Sequence, residues 1–223
     1  MPIRAFLFDF DGLILDTETA ALAAWQQIYA EHGQEVPLDR WAQNVGARDA
    51  FDPITHLEEL VGAELERDII HERRRAHELT LIEAEELRPG ISEYLAEAER
   101  RGLKLAIVSS SSREWIHMHL ERLERAVGWD TIVAADHDAS RAKPRPDLYL
   151  ETLGVLGVAP EEAIAFEDSL NGVRAAKAAG IFCVAVPNTV TRGYALDEAD
   201  LLLGSLAELP PEKLLRQLDE GGP

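Results

Sequence analysis

Asp9 and Asp11 flank one phenylalanine at the end of a hydrophobic stretch, Ile3 to Phe8, broken only by Arg4. On an extended segment, side chains two positions apart leave the same side. Two carboxylates held that close repel unless a cation or a proton lies between them. Ser109 and Ser110 follow a second hydrophobic stretch, and Glu167 and Asp168 follow a fourth; Lys143 stands between the third and fourth, ahead of a proline-initiated helix. A hard divalent cation with oxygen ligands would offset so many acids, and Mg²⁺ suits a site that keeps positions open for water and a phosphate. Such a cation also removes the repulsion between an attacking carboxylate and a phosphate dianion. At 4 Å and an effective dielectric of 20, that repulsion is about 4 kcal/mol per charge pair, on the order of a thousandfold in rate.

The elements that must position these groups are legible in the hydrophobic pattern. Ile3–Phe8, Leu103–Val108, Thr131–Ala134, Ala163–Phe166 and Ile181–Val186 read as buried strands, with a shorter one at Leu201–Leu203. Helical stripes lie between them: Ile91, Tyr94, Leu95 and Ala98 before Gly102; Ile116, Leu120, Leu123 and Val127 before Gly128; Leu170 and Val173 in a segment ending at Gly180. Alternating strands and helices imply an α/β fold, a Rossmann-like parallel sheet with helices on both faces. In such sheets, sites form at the carboxyl ends of the strands, where the acids, hydroxyls and lysine all fall. Residues 16–88 break the rhythm. Asp16 would cap a helix with the stripe Leu22, Trp25, Ile28 and Tyr29, and the last helical stretch runs roughly from Glu64 to Leu87. The expected organisation is therefore an α/β core of residues 1–15 and 89–223, with an inserted all-helical domain at 16–88. Its hinges would be Leu15–Asp16 and Leu87–Pro89.

The 223 residues are 46% hydrophobic and 28% charged, as in ordinary globular chains, and carry one cysteine, so an internal disulfide or cysteine-rich zinc site is excluded. No hydrophobic run reaches the roughly 18 residues of a membrane span, and the N-terminus does not read as a signal peptide; a cytoplasmic location is expected. The net charge of −19 disfavours nucleic acid and anionic lipid as partners. A small anionic metabolite would need local positive charge, and a monomer is the expected state.

In this order and spacing, the motifs resemble those of the haloacid dehalogenase (HAD) superfamily, over almost the whole chain. The residues that carry the likeness are Asp9-Phe10-Asp11-Gly12-Leu13 with Asp16-Thr17-Glu18, Ser109 after Ala106-Ile107-Val108, Lys143-Pro144-Arg145-Pro146-Asp147, and Glu167-Asp168-Ser169 with Asn171-Gly172. The helical insert is similar to the small cap of the subgroup containing phosphoglycolate phosphatases, sugar-phosphate phosphatases and β-phosphoglucomutase. The resemblance implies a Mg²⁺-dependent phosphatase of small phosphorylated metabolites. Asp9 would attack phosphorus and become an aspartyl phosphate, and Asp11 would act as general acid and base. Ser109, the Ser110 backbone N–H and Lys143 would bind the phosphoryl group. Asp9, Asp168 and the Asp11 backbone carbonyl would hold Mg²⁺, with Glu167 in or next to the outer shell. Arg48, in a cap loop, and Arg113, after the serine run, would contact the distal part of the substrate.

Other assignments are weaker on the residues. A calcium loop would need a glutamate at its twelfth position, which holds Ala20. His117 and His119 point to different helix faces. Arg73-Arg74-Arg75, between His71 and His77, reads as a solvated face, the alternative being a contact to an anionic substrate tail. Cys183 and the four tryptophans read as packing. A phosphomutase of the resembled subgroup would carry a histidine where Ala21 stands. Carbon–halogen cleavage would need neither Asp11 nor the Glu167-Asp168 pair, and phosphonate cleavage would want a lysine, absent from residues 16–88. A non-catalytic phospho-switch would not need an acid at Asp11.

Overall fold

The computed structural model describes residues 2–41, 51–125 and 128–220. The elements run β1 (Ala5–Phe8), α1 (Thr17–Glu31), α2 (Leu38–Trp41), α3 (Pro53–Val61), α4 (Arg67–Ile82), α5 (Ile91–Arg101), β2 (Lys104–Ser109) and α6 (Arg113–Arg122). They continue with β3 (Thr131–Ala134), α7 (Asp147–Leu156), β4 (Ala163–Glu167), α8 (Leu170–Ala178), β5 (Phe182–Ala185), β6 (Leu201–Leu202) and α9 (Pro211–Asp219). The strands form one sheet in the order β3-β2-β1-β4-β5-β6, and every neighbouring pair is parallel.

β1 is buried along its whole length, which is why its sequence runs hydrophobic rather than alternating. The pleat still sorts its side chains. Phe6 and Phe8 pack with Ile107, Ile164 and Phe166 against Tyr94 of α5, Ile116 and Leu120 of α6 and Leu214 of α9. Phe8 and Phe166 stack with ring centroids 4.7 Å apart. The opposite face carries smaller residues, Ala5, Ala106, Ala163, Ala165 and Ala185, under Leu148 and Leu153 of α7 and Val173 and Ala176 of α8. Small residues on both sides let α8 lie close to the sheet. Each fully buried Phe, Leu or Ile contributes about 1.5–3 kcal/mol.

Between β1 and α5 every regular element among the described residues is a helix. These helices have a hydrophobic cluster of their own, built on Trp25, Ile28, Tyr29, Trp41, Ile54, Leu57 and Ile70. Asp16 caps α1 by accepting from the Thr19 amide at 3.1 Å. Leu15 and Leu87 form an isolated antiparallel bridge, and the Arg88 amide donates to the Ile14 carbonyl at 3.0 Å. That pairing explains why α4 stops at Ile82 rather than near Leu87: the chain must leave the helix to meet Leu15. The Arg88 guanidinium donates to the carbonyls of Gly12, Val186 and Pro187, tying the returning linker to two turns at the sheet's carboxyl edge. α6 is shorter than its expected stripe. It ends at Arg122, Glu124 takes a positive φ of 54°, and Val127 lies outside the described residues.

His119 of α6 is 3% exposed and stacks on Phe10, its centroid 6.3 Å away. Neither ring nitrogen has a hydrogen-bond partner. Burial lowers its pKa to about 4, with the charge of Asp11 opposing. Between that value and the unfolded pKa near 6.5, the unfolded chain holds a proton that the folded chain does not. Stability from this group is therefore full above about pH 6.5 and falls as pH drops toward 4. Comparing His119→Leu with the wild type by urea unfolding at pH 7 and pH 5 should isolate the effect: the wild type should lose on the order of 1 kcal/mol more than the variant over that interval. Equal losses would assign the pH dependence elsewhere.

Candidate active site

β1 lies where the chain order reverses, with β2 and β3 on one side and β4, β5 and β6 on the other. Ligands in open parallel sheets bind at the carboxyl ends of strands flanking such a point. Asp9 is the first residue past β1, and its amide donates to the Phe166 carbonyl at 3.0 Å. Ser109 ends β2, Glu167 ends β4 and Asp168 follows it. Lys143 comes from the loop ahead of α7 and begins a cis peptide bond to Pro144.

The Lys143 side chain is 1% exposed, and its ammonium engages two carboxylates. It is hydrogen-bonded and ion-paired to Asp9 Oδ1 and lies 2.7 Å from Glu167 Oε1. The Tyr149 hydroxyl donates to the same glutamate oxygen, and the Lys143 amide donates to Ser110 Oγ at 3.1 Å. Asp9, Glu167 and Asp168 each present a carboxylate oxygen, all within 4.8 Å of one another. One ammonium does not balance three buried carboxylates. Burial pushes Asp9 up to about 8; Lys143 opposes the shift, while Glu167 and Asp11 add to it. Burial, then Asp9 and Glu18, push Asp168 well up. Burial alone would lower Lys143, but Asp9 and Glu167 hold it above its usual value. Glu167 Oε2 is buried with no hydrogen-bond partner. A clustered acid set with an orphaned oxygen fits a hard divalent cation, and no neutral ligand would relieve the repulsion as well.

Two glycines make room for this cluster. Gly12 has φ 81°, and a Cβ there would sit 2.3 Å from Asp168 Oδ2 and 2.5 Å from Asn188 Nδ2. A Cβ on Gly172 would sit 1.7 Å from Glu167 Oε2. The Asn188 amide donates to Asp168 Oδ2 at 2.7 Å and so orients that carboxylate.

Asp11 points elsewhere. Its Oδ1 accepts from the Thr17 hydroxyl at 2.8 Å and the Trp115 indole at 2.7 Å. Its Oδ2 accepts from Ser111 Oγ at 2.6 Å and, more weakly, from Ser109 Oγ at 3.4 Å. Asp11 faces a cleft of about 600 Å³ between α1, α4 and the loops after β2 and β3. Thr17, Glu18, His71, Arg74, Arg75 and Ser111 are among the residues that line it. Glu78 at its edge accepts from Arg74 Nη1 at 2.9 Å. Burial, and then Asp11 and Asp9, raise Glu18 well above the usual carboxylate range.

A carboxylate poised against a lysine, a second carboxylate facing an open cleft and an acidic cation pocket can together pass a phosphoryl group through an enzyme carboxylate. The family model of haloacid dehalogenase-like hydrolases matches residues 3–180. The chain belongs to that family.

Among curated members, YhcW of Bacillus subtilis is 42% identical over 97% of this chain and 98% of its own. The phosphorylated carbohydrates phosphatase of Thermotoga maritima is 31% identical over 98% of this chain and 99% of its own. The crystal structure of β-phosphoglucomutase from Clostridium difficile superposes with a TM-score of 0.77 at 25% identity, covering 98% of each chain. The protein is thus a HAD-like hydrolase, with the parallel α/β core its hydrophobic pattern led one to expect. Among the described residues no helix is long and apolar enough to cross a membrane.

The fold of this HAD-like hydrolase brings Asp9, Lys143, Glu167 and Asp168 into one cluster, with Ser109, Ser110 and Asp11 beside it. The Asp11 side chain is not among the three clustered carboxylates. Arg113 is half exposed and paired with Asp136 at 3.4 Å, and it does not line the cleft. Arg48 lies outside the described residues. The basic run of α4 divides between its two readings: Arg73 is exposed and pairs with Glu31, whereas Arg74, Arg75 and His71 line the cleft. Their neighbour Glu78, also on that wall, completes the spacing 71, 74, 75, 78, one helix face, a signal the sequence did contain. Asn188 and Tyr149 went unread. Asn188 stands just past β5, where the strand-end rule applied to the other strands would have found it.

Proposed function

We propose that the protein is a Mg²⁺-dependent phosphatase of small phosphorylated sugars or polyols that works through an aspartyl phosphate. The observation that carries this reading is the buried Lys143 shared by Asp9 and Glu167, within the three-carboxylate cluster. Asp9 attacks phosphorus; the ester P–O bond breaks, and its electron pair stays on the leaving oxygen, which takes a proton from Asp11. Asp11 then removes a proton from the water that attacks the acyl phosphate, releasing inorganic phosphate and restoring Asp9. Lys143 offsets charge on Asp9 and the phosphoryl oxygens. Ser109 Oγ and the Ser110 backbone N–H orient that group.

Asp9, Asp168 and the Asp11 carbonyl, with Glu167 in or beside that set, would hold Mg²⁺, which would supply positive charge favouring ionised Asp9 and offsetting that of the phosphate. The helices of residues 16–88 act as a cap over the cleft, hinged at the paired linkers, and exclude water in the first step. Hydroxyls, carboxylates and guanidinium groups along the cleft suit a hydroxyl-rich substrate. The phosphorylated carbohydrate phosphatase named above supports that class.

The test is steady phosphate release from a panel of sugar and polyol phosphates with Mg²⁺. EDTA should lower turnover by at least about 10³-fold; undiminished activity in EDTA removes the metal role. Burial raises the Asp9 pKa to about 8 against the opposing charge of Lys143, so below that pH a proton competes with a cation for this carboxylate. Metal binding must displace that proton, so apparent Mg²⁺ affinity should rise from pH 6 to pH 8; a flat profile would contradict the ligand assignment.

The likeness to β-phosphoglucomutase favours a second reading, mutase action. Ala21 at the cleft wall offers no proton-handling group there. Glucose 6-phosphate forming from β-glucose 1-phosphate and its bisphosphate faster than free phosphate would favour the mutase.

A further inference from the structure

Trp115, read from the sequence as packing, reaches the acid. Ser112 caps α6 by accepting from the Trp115 amide at 3.3 Å, which sets the indole at the first turn of the helix. Trp115 is 9% exposed. His119 packs edge-to-face on it with ring centroids 4.1 Å apart, and the Arg75 guanidinium lies 4.1 Å from the ring centroid. Held this way, its N–H meets Asp11 Oδ1 at 2.7 Å.

The donors on Asp11 are not equivalent. The hydroxyls of Thr17, Ser111 and Ser109 rotate and can accept as readily as donate, whereas an indole N–H only donates. Thr17 Oγ1, 2.8 Å from Oδ1, could accept a proton from it, but a protonated Oδ1 would be the poorer acceptor for the indole N–H, which has no other way to act. A proton on Oδ2 meets Ser111 Oγ at 2.6 Å, which can accept it. We propose that Trp115 is a positioning residue for Asp11, fixing Oδ1 as the accepting oxygen so that Oδ2 carries the proton passed to the leaving oxygen. This rests on the phosphatase reading above. In the step, the Oδ2–H bond breaks as the new O–H bond forms on the departing alcohol, and Asp11 is left as a carboxylate with the indole still donating to Oδ1.

Two experiments test it. The chain has four tryptophans, and the indole ¹H–¹⁵N peak missing from Trp115→Phe belongs to Trp115. A charge-assisted bond places that peak downfield, and it should move upfield in Asp11→Ala; a peak that stays put overturns the proposal. The second is leaving-group dependence of kcat/KM with Mg²⁺. An alkyl ester such as glycerol phosphate needs its leaving oxygen protonated, and p-nitrophenyl phosphate needs this far less. Trp115→Phe should lose about tenfold toward the alkyl ester and clearly less toward the aryl ester. Benzothienylalanine at position 115 keeps the ring shape, replaces N–H by sulfur and should show the same split. Equal losses toward both esters, or none, in an active wild-type background overturn the proton assignment alone. A wild type that turns over neither ester overturns the phosphatase reading and the assignment together.

Discussion

Asp9→Asn should lower phosphate release by at least about 10⁴-fold while leaving the protein folded. Asparagine matches the shape of aspartate but offers no anionic oxygen to attack phosphorus. The loss falls on the covalent step itself, so intact-protein mass spectrometry should find no phosphorylated species at any time after mixing with substrate. Folding should survive. The variant removes one of three mutually repelling carboxylates, and Glu167 still holds the Lys143 ammonium at 2.7 Å. Substantial turnover, or a phosphoenzyme in this variant, would take the nucleophile assignment away from Asp9.

Lys143→Met should fail in a different way. Its ammonium is almost wholly buried and shared by Asp9 and Glu167, and methionine fills similar space without charge. Removing one partner of a buried ion pair costs about 3–5 kcal/mol because the other charge is left uncompensated. Here two carboxylates lose their common partner, and Tyr149 remains as a donor to Glu167. The variant should unfold at markedly lower urea concentration and show turnover reduced by at least about 10³-fold. Saturating Mg²⁺ should recover part of the lost stability, because a ligand that binds only the folded state stabilises it by mass action. A variant as stable as the wild type without metal would mean that the lysine is not what holds the acids together.

Much of this arrangement was legible from residue order, and the reason is geometric. A strand buried on both faces must be hydrophobic throughout, so β1, β2, β4 and β5 announce themselves. In a parallel sheet their last residues then face the crevice, which makes Asp9, Ser109, Glu167 and Asp168 readable from strand ends alone. Lys143 stands out only by its place ahead of a proline-initiated helix and by its motif, since the loop ahead of α7 has no periodicity to read. What escaped depends on helix phase and loop path. Arg74 and Arg75 differ from Arg73 only by rotation about α4, and a run of like residues hides that difference. Arg113 follows the serine run closely, yet its chain turns outward to Asp136, whose own φ is 49°. Trp115 and Tyr149 are large hydrophobic residues whose one polar atom meets an acid; composition reads the ring and misses the atom.

The bridge between Leu15 and Leu87 has a consequence for how such a chain can change over time. The polypeptide departs from the sheet and rejoins it at neighbouring points, so the excursion between them places no demand on the spacing of β1 and α5. Its helices can lengthen, shorten or diverge while the registers of β1 with β2 and β4 stay as they are. On the proposed function, selectivity would be encoded along α1 and α4 separately from the covalent chemistry at Asp9, and different substitutions would alter the two.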